Sequence, residues 1–96
     1  MTINEAKNVL RIDLEDTYND DFINSLLEAI PDYIEQQTGM TKDKQEADPL
    51  AKTASGFILK LWYFSDSADD QKLNRTITSL LKCITYKAKE SEAETI

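Results

Sequence analysis

The chain has 96 residues, of which 41% are hydrophobic and 30% are charged, so it is sized for one domain and is too apolar for a fully disordered segment. Its two glycines and two prolines are too few for the many turns of a β-sandwich or barrel, and this composition favours helices. The formal net charge of −7 disfavours nucleic-acid readout, because affinity for the phosphate backbone comes largely from Lys and Arg.

The single cysteine, Cys83, leaves no partner for an intramolecular disulfide, so a reducing compartment is the expectation. No apolar run approaches the ~18 residues of a membrane span, and the N-terminus shows no basic region followed by an apolar one. We therefore expect a cytosolic chain in which Cys83 is a small core or boundary residue.

A short helix is predicted at the start of the chain. Thr2 and Glu5 have the spacing of a capping box, in which each side chain bonds the other residue's backbone amide. Apolar residues follow at helical spacing: Ile3, Ala6, Val9 and Leu10. A helix of about two turns is too short to be stable alone and must dock on the rest of the chain.

A long amphipathic helix is predicted over residues 20–38, after a polar and acidic stretch at 11–21. Asn19 or a neighbour is the expected cap, and Asp20 and Asp21 suit the positive N-terminal end. Pro31 removes one backbone hydrogen bond and predicts a kink, while Gly39 fits the left-handed residue after the helix. The apolar stripe continues in phase across the proline: Phe22, Ile23, Leu26, Leu27, Ile30, Tyr33 and Ile34.

A third helix is predicted over residues 49–64, after a charged loop at 40–48. Asp48 is a good cap and Pro49 is favoured at the first helical position. One side of this helix is strongly apolar: Leu50, Ala54, Phe57, Ile58, Leu61, Trp62 and Phe64. Leu59 and Tyr63 are predicted on the opposite side, so the helix is either the centre of a bundle or is covered from behind by another subunit.

The last predicted helix starts near Leu73–Asn74, after a polar connector from Ser65 to Lys72. Its stripe is formed by Leu73, Ile77, Leu80, Leu81, Ile84 and Ala88. Residues 89–96 have little apolar content, and we expect a frayed or disordered tail there. The predicted fold is therefore all-α, a small bundle of about four helices in a single domain, 1–96, with an ordered core of about 2–88.

Catalytic and metal-binding chemistry finds little support in these residues. The chain has no histidine, which removes the commonest general base, the commonest metal ligand and every Ser–His or Cys–His pair. An EF-hand loop needs Gly at its sixth position and Glu at its twelfth, and counting from Asp13 or from Asp16 fails both requirements. Two isolated glycines cannot build a phosphate-binding loop. We expect no enzyme activity, no cofactor and no metal site.

The first forty residues carry two motifs in a fixed order. Residues 2–13 read TINEAKNVLRID, and after an acidic break residues 20–39 read DDFINSLLEAIPDYIEQQTG. This order resembles the tailed-phage head–tail connector family, also called head-completion proteins or DNA-packaging adaptors. Its members open with Thr/Leu-x-x-x-Ala-Lys-x-x-Leu-Arg-Ile-Asp and continue with Asp-x-x-Ile-x-x-Leu-Ile-x-Ala-x-x-x-Tyr-Ile-Glu-x-x-Thr-Gly. The aromatic run at 62–64 and the sequence LLKCITY at 80–86 also fit.

The resemblance implies an all-α structural protein that forms a homo-oligomeric ring beneath the phage portal. Such a ring would extend the DNA channel and give the tail or a head-closure protein a docking surface. It would belong to the virion at the head–tail interface, after assembly in the host cytoplasm. DNA would pass nearby without sequence-specific binding, and an acidic channel would not stall its passage.

Candidate contact residues follow from this implied assembly. Large apolar faces left over after folding can pair head-to-tail between neighbours, and we expect Leu59, Tyr63 and Trp62 at the contact between subunits. The loop at 40–48 and the C-terminal segment are expected to meet the portal or the tail, through Lys42, Asp43, Lys44, Lys87 and Lys89.

Two other classes of function remain open at this stage. A small acidic helical interaction module or regulator without catalytic activity would share the composition, and would differ by failing to bind a portal ring. A DNA-binding helix-turn-helix protein would need a basic helix, and the most basic stretch, Lys82 to Lys89, has only three lysines.

Overall fold

The computed structural model describes residues 1–64 and 70–94 of the chain, and this part is all-α as predicted. Within it the backbone forms five helices and no strand: α1 (Ile3–Leu10), α2 (Asp20–Thr38), α3 (Lys42–Ala47), α4 (Pro49–Tyr63) and α5 (Asp70–Glu94). No helix in the described part combines the length and the hydropathy of a membrane-spanning segment.

Helix α1 has the capping box that the sequence predicts. The amide of Glu5 donates to Thr2 Oγ1 at 3.2 Å, and the amide of Thr2 donates to Glu5 Oε1 at 3.1 Å. The helix ends where Arg11 adopts the left-handed conformation, with φ 60°. This turn lets the amide of Ile12 donate to the carbonyl of Lys7 at 2.8 Å, which satisfies a carbonyl at the helix end.

Helix α2 runs from Asp20 to Thr38 and continues across Pro31. Asn19 occupies the cap position as predicted, although its side chain makes no capping hydrogen bond. Gly39 has φ 82° and its amide donates to Glu35 O, which confirms the predicted left-handed residue after the helix. The helix buries Ile23, Ile30 and Ile34 against the other helices.

The predicted loop at 40–48 is wrong over most of its length, because residues 42–47 form the short helix α3. Gln45 explains why this charged sequence is ordered. Its buried side-chain amide donates to Pro31 O at 3.0 Å and to Met40 O at 2.9 Å. The bond to Pro31 O joins α3 to α2. The sequence pattern does not reveal it, because residues 42–46 are all polar.

Helix α4 is the centre of the bundle and contacts each of the other four helices. Asp48 caps it as predicted, accepting from the amides of Leu50 at 2.8 Å and Ala51 at 3.2 Å. Ala51, Ala54 and Ile58 are buried in the core. The apolar side chains of α4 therefore pack mainly against other helices of the same chain.

Helix α5 is longer than predicted at both ends. It begins at Asp70 instead of near Leu73–Asn74, and it continues to Glu94 instead of ending near residue 88. The Lys, Glu and Ala residues after position 88 are good helix formers even without an apolar stripe. The rest of the predicted connector, at 65–69, and the rest of the predicted tail, at 95–96, lie outside the described residues.

The two glycines are expected to respond oppositely to alanine. A Cβ at Gly56 would meet nothing closer than Val9 Cγ1 at 3.9 Å, so Gly56→Ala should raise the free energy of unfolding by about 0.5–1 kcal/mol, as for Gly to Ala inside a helix. Gly39→Ala should lower it by about 1 kcal/mol because of the positive φ. Urea denaturation measures both changes, and equal effects at the two positions would contradict this account.

Candidate assembly surfaces

A buried ion pair joins α1 to the start of α2. The Lys7 side chain is 3% exposed, and its Nζ lies 2.8 Å from Asp20 Oδ1. The same ammonium group donates to Leu14 O at 3.2 Å. No hydrogen bond from the described residues reaches the buried Asp20 Oδ1, so the ion pair with Lys7 is what compensates for its burial.

Lys7 thereby positions an exposed stretch that we call the acidic–aromatic segment (residues 13–22). Asp13 Oδ1 accepts from the amide of Glu15 at 3.0 Å, and Asp16 Oδ1 accepts from the amide of Tyr18 at 3.1 Å. These bonds are Asx turns, in which a carboxylate satisfies a backbone amide two residues on. The carboxylates of the predicted acidic break thus shape a compact connection between two helices.

Large apolar side chains of this segment point into solvent. Tyr18 is 91% exposed, and Leu14 and Phe22 are each 49% exposed. Phe22 packs on Tyr63, with ring centroids 5.9 Å apart, and Asn19 Nδ2 donates to Tyr63 Oη at 2.8 Å. The C-terminal end of α4 therefore supports the segment from behind, and the exposed apolar side chains make it a candidate binding surface.

A second surface is concave and lies where α1, α3 and α4 meet. We call it the lysine groove, and its cavity volume is about 670 Å³. Val9, Pro31 and Phe57 supply its apolar lining. Three lysines, one from α3 and two from α4, also line it: Lys42, Lys52 and Lys60. Gly56 also lines the groove, where α4 faces Val9 of α1.

The structure corrects one of the predicted subunit contacts. Leu59 is 0% exposed, so it belongs to the core and cannot touch a neighbouring chain in this fold. The prediction failed because it took α4 to have a free rear face, whereas all four other helices contact α4. Trp62 is half-buried edge-on against Tyr33, with centroids 5.3 Å apart, and Tyr63 is half-buried beneath Phe22.

Two of the predicted portal or tail contacts are engaged in ion pairs within the chain. Lys42 pairs with Asp32 of α2, and the hydrogen bond from Lys42 to this carboxylate raises the pKa of the Lys42 ammonium group. Lys87 Nζ lies 3.3 Å from Asp48 Oδ2 and ties α5 to the N-terminus of α4. Asp43, Lys44 and Lys89 are exposed on α3 and α5.

The carboxyl group of Asp48 has a perturbed pKa. Burial alone would raise it, but the amide of Ala51, the Lys87 ammonium group and the amide of Leu50 outweigh this effect. The pKa of Asp48 is therefore lowered from its ordinary value.

Among the described residues, no group of three or more His, Cys, Asp or Glu side chains is placed to hold a metal ion. Cys83 is exposed instead of being a core or boundary residue.

Comparison with known protein families gives a match that spans nearly all of the chain. A family model described as "Phage gp6-like head-tail connector protein" matches residues 1–92. The chain belongs to this family. No curated protein and no solved structure matches the chain. The connector is thus a structural phage protein of the head–tail interface, and its family is in general non-catalytic and acts by contact with other head and tail proteins.

Sequence reasoning missed the residues that fix the connector's surfaces. Lys7 stands inside the opening motif, but helical periodicity counts a lysine as a surface residue, and only its distance to Asp20 reveals the ion pair. The polar pattern around Gln45 predicts a loop for the same reason, since its hydrogen bonds to Pro31 O and Met40 O are not visible in the sequence. The signal that could have found Lys7 is its place between Ala6 and Leu10, on the side of α1 that docks.

The Lys7–Asp20 ion pair predicts strong coupling between the two positions in the connector. Lys7→Met should lower the free energy of unfolding by about 1–3 kcal/mol, because it leaves a buried carboxylate oxygen unpaired, although partial exposure of Asp20 softens the loss. The double variant Lys7→Met/Asp20→Asn should cost less than the sum of the single variants, by about 1 kcal/mol or more. Urea denaturation of all four proteins measures this cycle, and additive single effects would show that the pair does not stabilise the fold.

The depressed pKa of Asp48 predicts a pH-dependent contribution to stability. A carboxyl group whose pKa is lowered by folding stabilises the protein above its ordinary pKa, 3.8, and this contribution disappears as the pH falls through the lowered value. Asp48→Asn keeps a good cap but removes the charge. Wild type should therefore be more stable than this variant at about pH 7, and the difference should shrink below about pH 4. A difference that is constant over this range would contradict the assignment.

Proposed function

We propose that the connector assembles as a homo-oligomeric ring beneath the portal, extends the DNA channel and offers a docking surface to the tail or a head-closure protein. The observation that carries this proposal is the family match over residues 1–92. Assembly would take place in the host cytoplasm before the ring becomes part of the virion.

The shape of the monomer supports an assembly in which different surfaces meet. The acidic–aromatic segment projects large apolar side chains, and the lysine groove is concave and lies elsewhere on the chain. Contacts between two different surfaces are heterologous, and they close into a ring when the rotation between neighbours allows it. Aromatic side chains such as Tyr18 and Phe22 are enriched at the energetic centres of interfaces.

Contacts with the portal and the tail are proposed on two helices of the connector. Helix α3 offers Lys42, Asp43 and Lys44, and the C-terminal part of α5 offers Lys87 and Lys89. The ion pairs of Lys42 and Lys87 hold these side chains in position while leaving them about half exposed. Contacts of this kind set the orientation and the partner choice of an interface more than its affinity.

The net charge of −7 suits a ring through which DNA passes. DNA binding gains its affinity from cations that neutralise phosphates, so an acidic protein does not grip the duplex. The connector would lie next to DNA without sequence-specific recognition and without holding it in place.

The proposal predicts a complex between the connector and the portal of its own phage. Electron microscopy of the mixed proteins should show a ring of connector density stacked on the portal, coaxial with its channel. Portal alone, imaged under the same conditions, is the control and should lack this density. Absence of any connector density on the portal, at connector concentrations well above those of the portal, would overturn the proposed function.

A further inference from the structure

The acidic–aromatic segment and the lysine groove are complementary in two respects. The segment combines exposed carboxylates, on Asp13, Glu15, Asp16 and Asp21, with the exposed apolar side chains of Leu14, Tyr18 and Phe22. The groove combines an apolar lining with the ammonium groups of three lysines. Each surface therefore offers the other both an apolar contact and an opposite charge.

The positive charge of the groove is unusual for this protein. The whole chain has 18 acidic and 11 basic residues, yet three lysines line this one cavity. Two glutamates, Glu5 and Glu46, also line the cavity, and Lys42 is paired with Asp32 of α2. The lining side chains therefore carry one net positive charge, in a chain whose net charge is −7. Lys60 Nζ also lies 5.9 Å from the centroid of the Phe57 ring, so the groove already pairs a cation with an aromatic ring.

The segment cannot fill the groove of its own chain. Lys7 holds it at Leu14 and at Asp20, and Asn19 is bonded to Tyr63 at the C-terminal end of α4. The groove lies along the other part of α4, from Lys52 to Lys60. An occupant with the chemistry of this segment must therefore come from a second molecule.

We propose that the lysine groove of one connector binds the acidic–aromatic segment of the neighbouring copy, with Tyr18 of the neighbour entering the cavity. This inference rests on the proposed ring. The two surfaces share no residue, so each copy can use both at once, which a head-to-tail ring requires. Burial of Tyr18 and its neighbours supplies apolar contact, and the lysines meet the carboxylates that flank them.

Chemical crosslinking on the assembled ring tests this contact. In a Cys83→Ser background, which removes the exposed natural thiol, Tyr18→Cys and Lys60→Cys are combined in one chain. A short bis-maleimide is added after the protein has been mixed with the portal. Because each copy then carries both halves of the contact, a denaturing gel should show a ladder of covalent oligomers. Replacing Lys60→Cys by Lys82→Cys, on an exposed part of α5 that does not line the groove, should abolish the ladder.

Charge reversal in the groove tests the electrostatic part of the proposal. The double variant Lys52→Glu/Lys60→Glu should weaken ring formation on the portal about tenfold or more, because carboxylates would then face carboxylates. Lys82→Glu makes the same kind of charge change outside the groove and should leave ring formation unchanged. Circular dichroism verifies that both variants are folded, and equal ring formation by the groove variant and wild type would overturn the proposed contact.

The outcomes separate this inference from the proposed function. A ring on the portal together with the Tyr18–Lys60 ladder supports both. A ring without the ladder overturns the groove contact and leaves the connector function standing. Absence of a ring overturns the proposed function, and the contact between neighbours falls with it.

Discussion

The buried ammonium group of Lys7 determines how the first third of the chain is arranged. A lysine with a side chain that is 3% exposed needs a partner, since an isolated charge is costly to remove from water. Asp20 supplies the opposite charge and Leu14 supplies a carbonyl, so one side chain fixes the end of α1, the connection after it and the start of α2. The acidic–aromatic segment is exposed in a definite shape because Lys7 holds it at both ends.

Helix α4 provides the second constraint, since every other helix packs on it. All four other helices contact α4, and Leu59 is buried in the core. The assembly that we propose uses surfaces at the borders of α4. One border is its C-terminal end, where Tyr63 supports the acidic–aromatic segment, and the other is the lysine groove, which α4 forms together with α1 and α3.

The sequence predicted those features that depend on neighbouring residues, namely where helices begin and end. The capping box of Thr2 and Glu5, the left-handed Gly39 and the Asp48–Pro49 helix start each depend on neighbouring residues, and each is confirmed. The failures depend on distant contacts. Helix α3 forms because Gln45 reaches α2, and Leu59 is buried because other helices cover it. Family membership was predictable for a related reason: the opening motif contains the cap, the buried Ala6 and Lys7, and the left-handed Arg11 that the fold requires.

Residue-resolved hydrogen exchange tests the central role of Lys7 most directly. The amides of Asp16 and Asp20 donate to Asp13 O and Thr17 O within the segment that Lys7 holds. In Lys7→Met, exchange at these two amides should accelerate strongly, while amides in the middle of α4 and α5 remain the slowest in the protein. If Asp16 and Asp20 exchange at the wild-type rate in this variant, the segment keeps its shape without Lys7, and the account given for the acidic–aromatic segment would be contradicted.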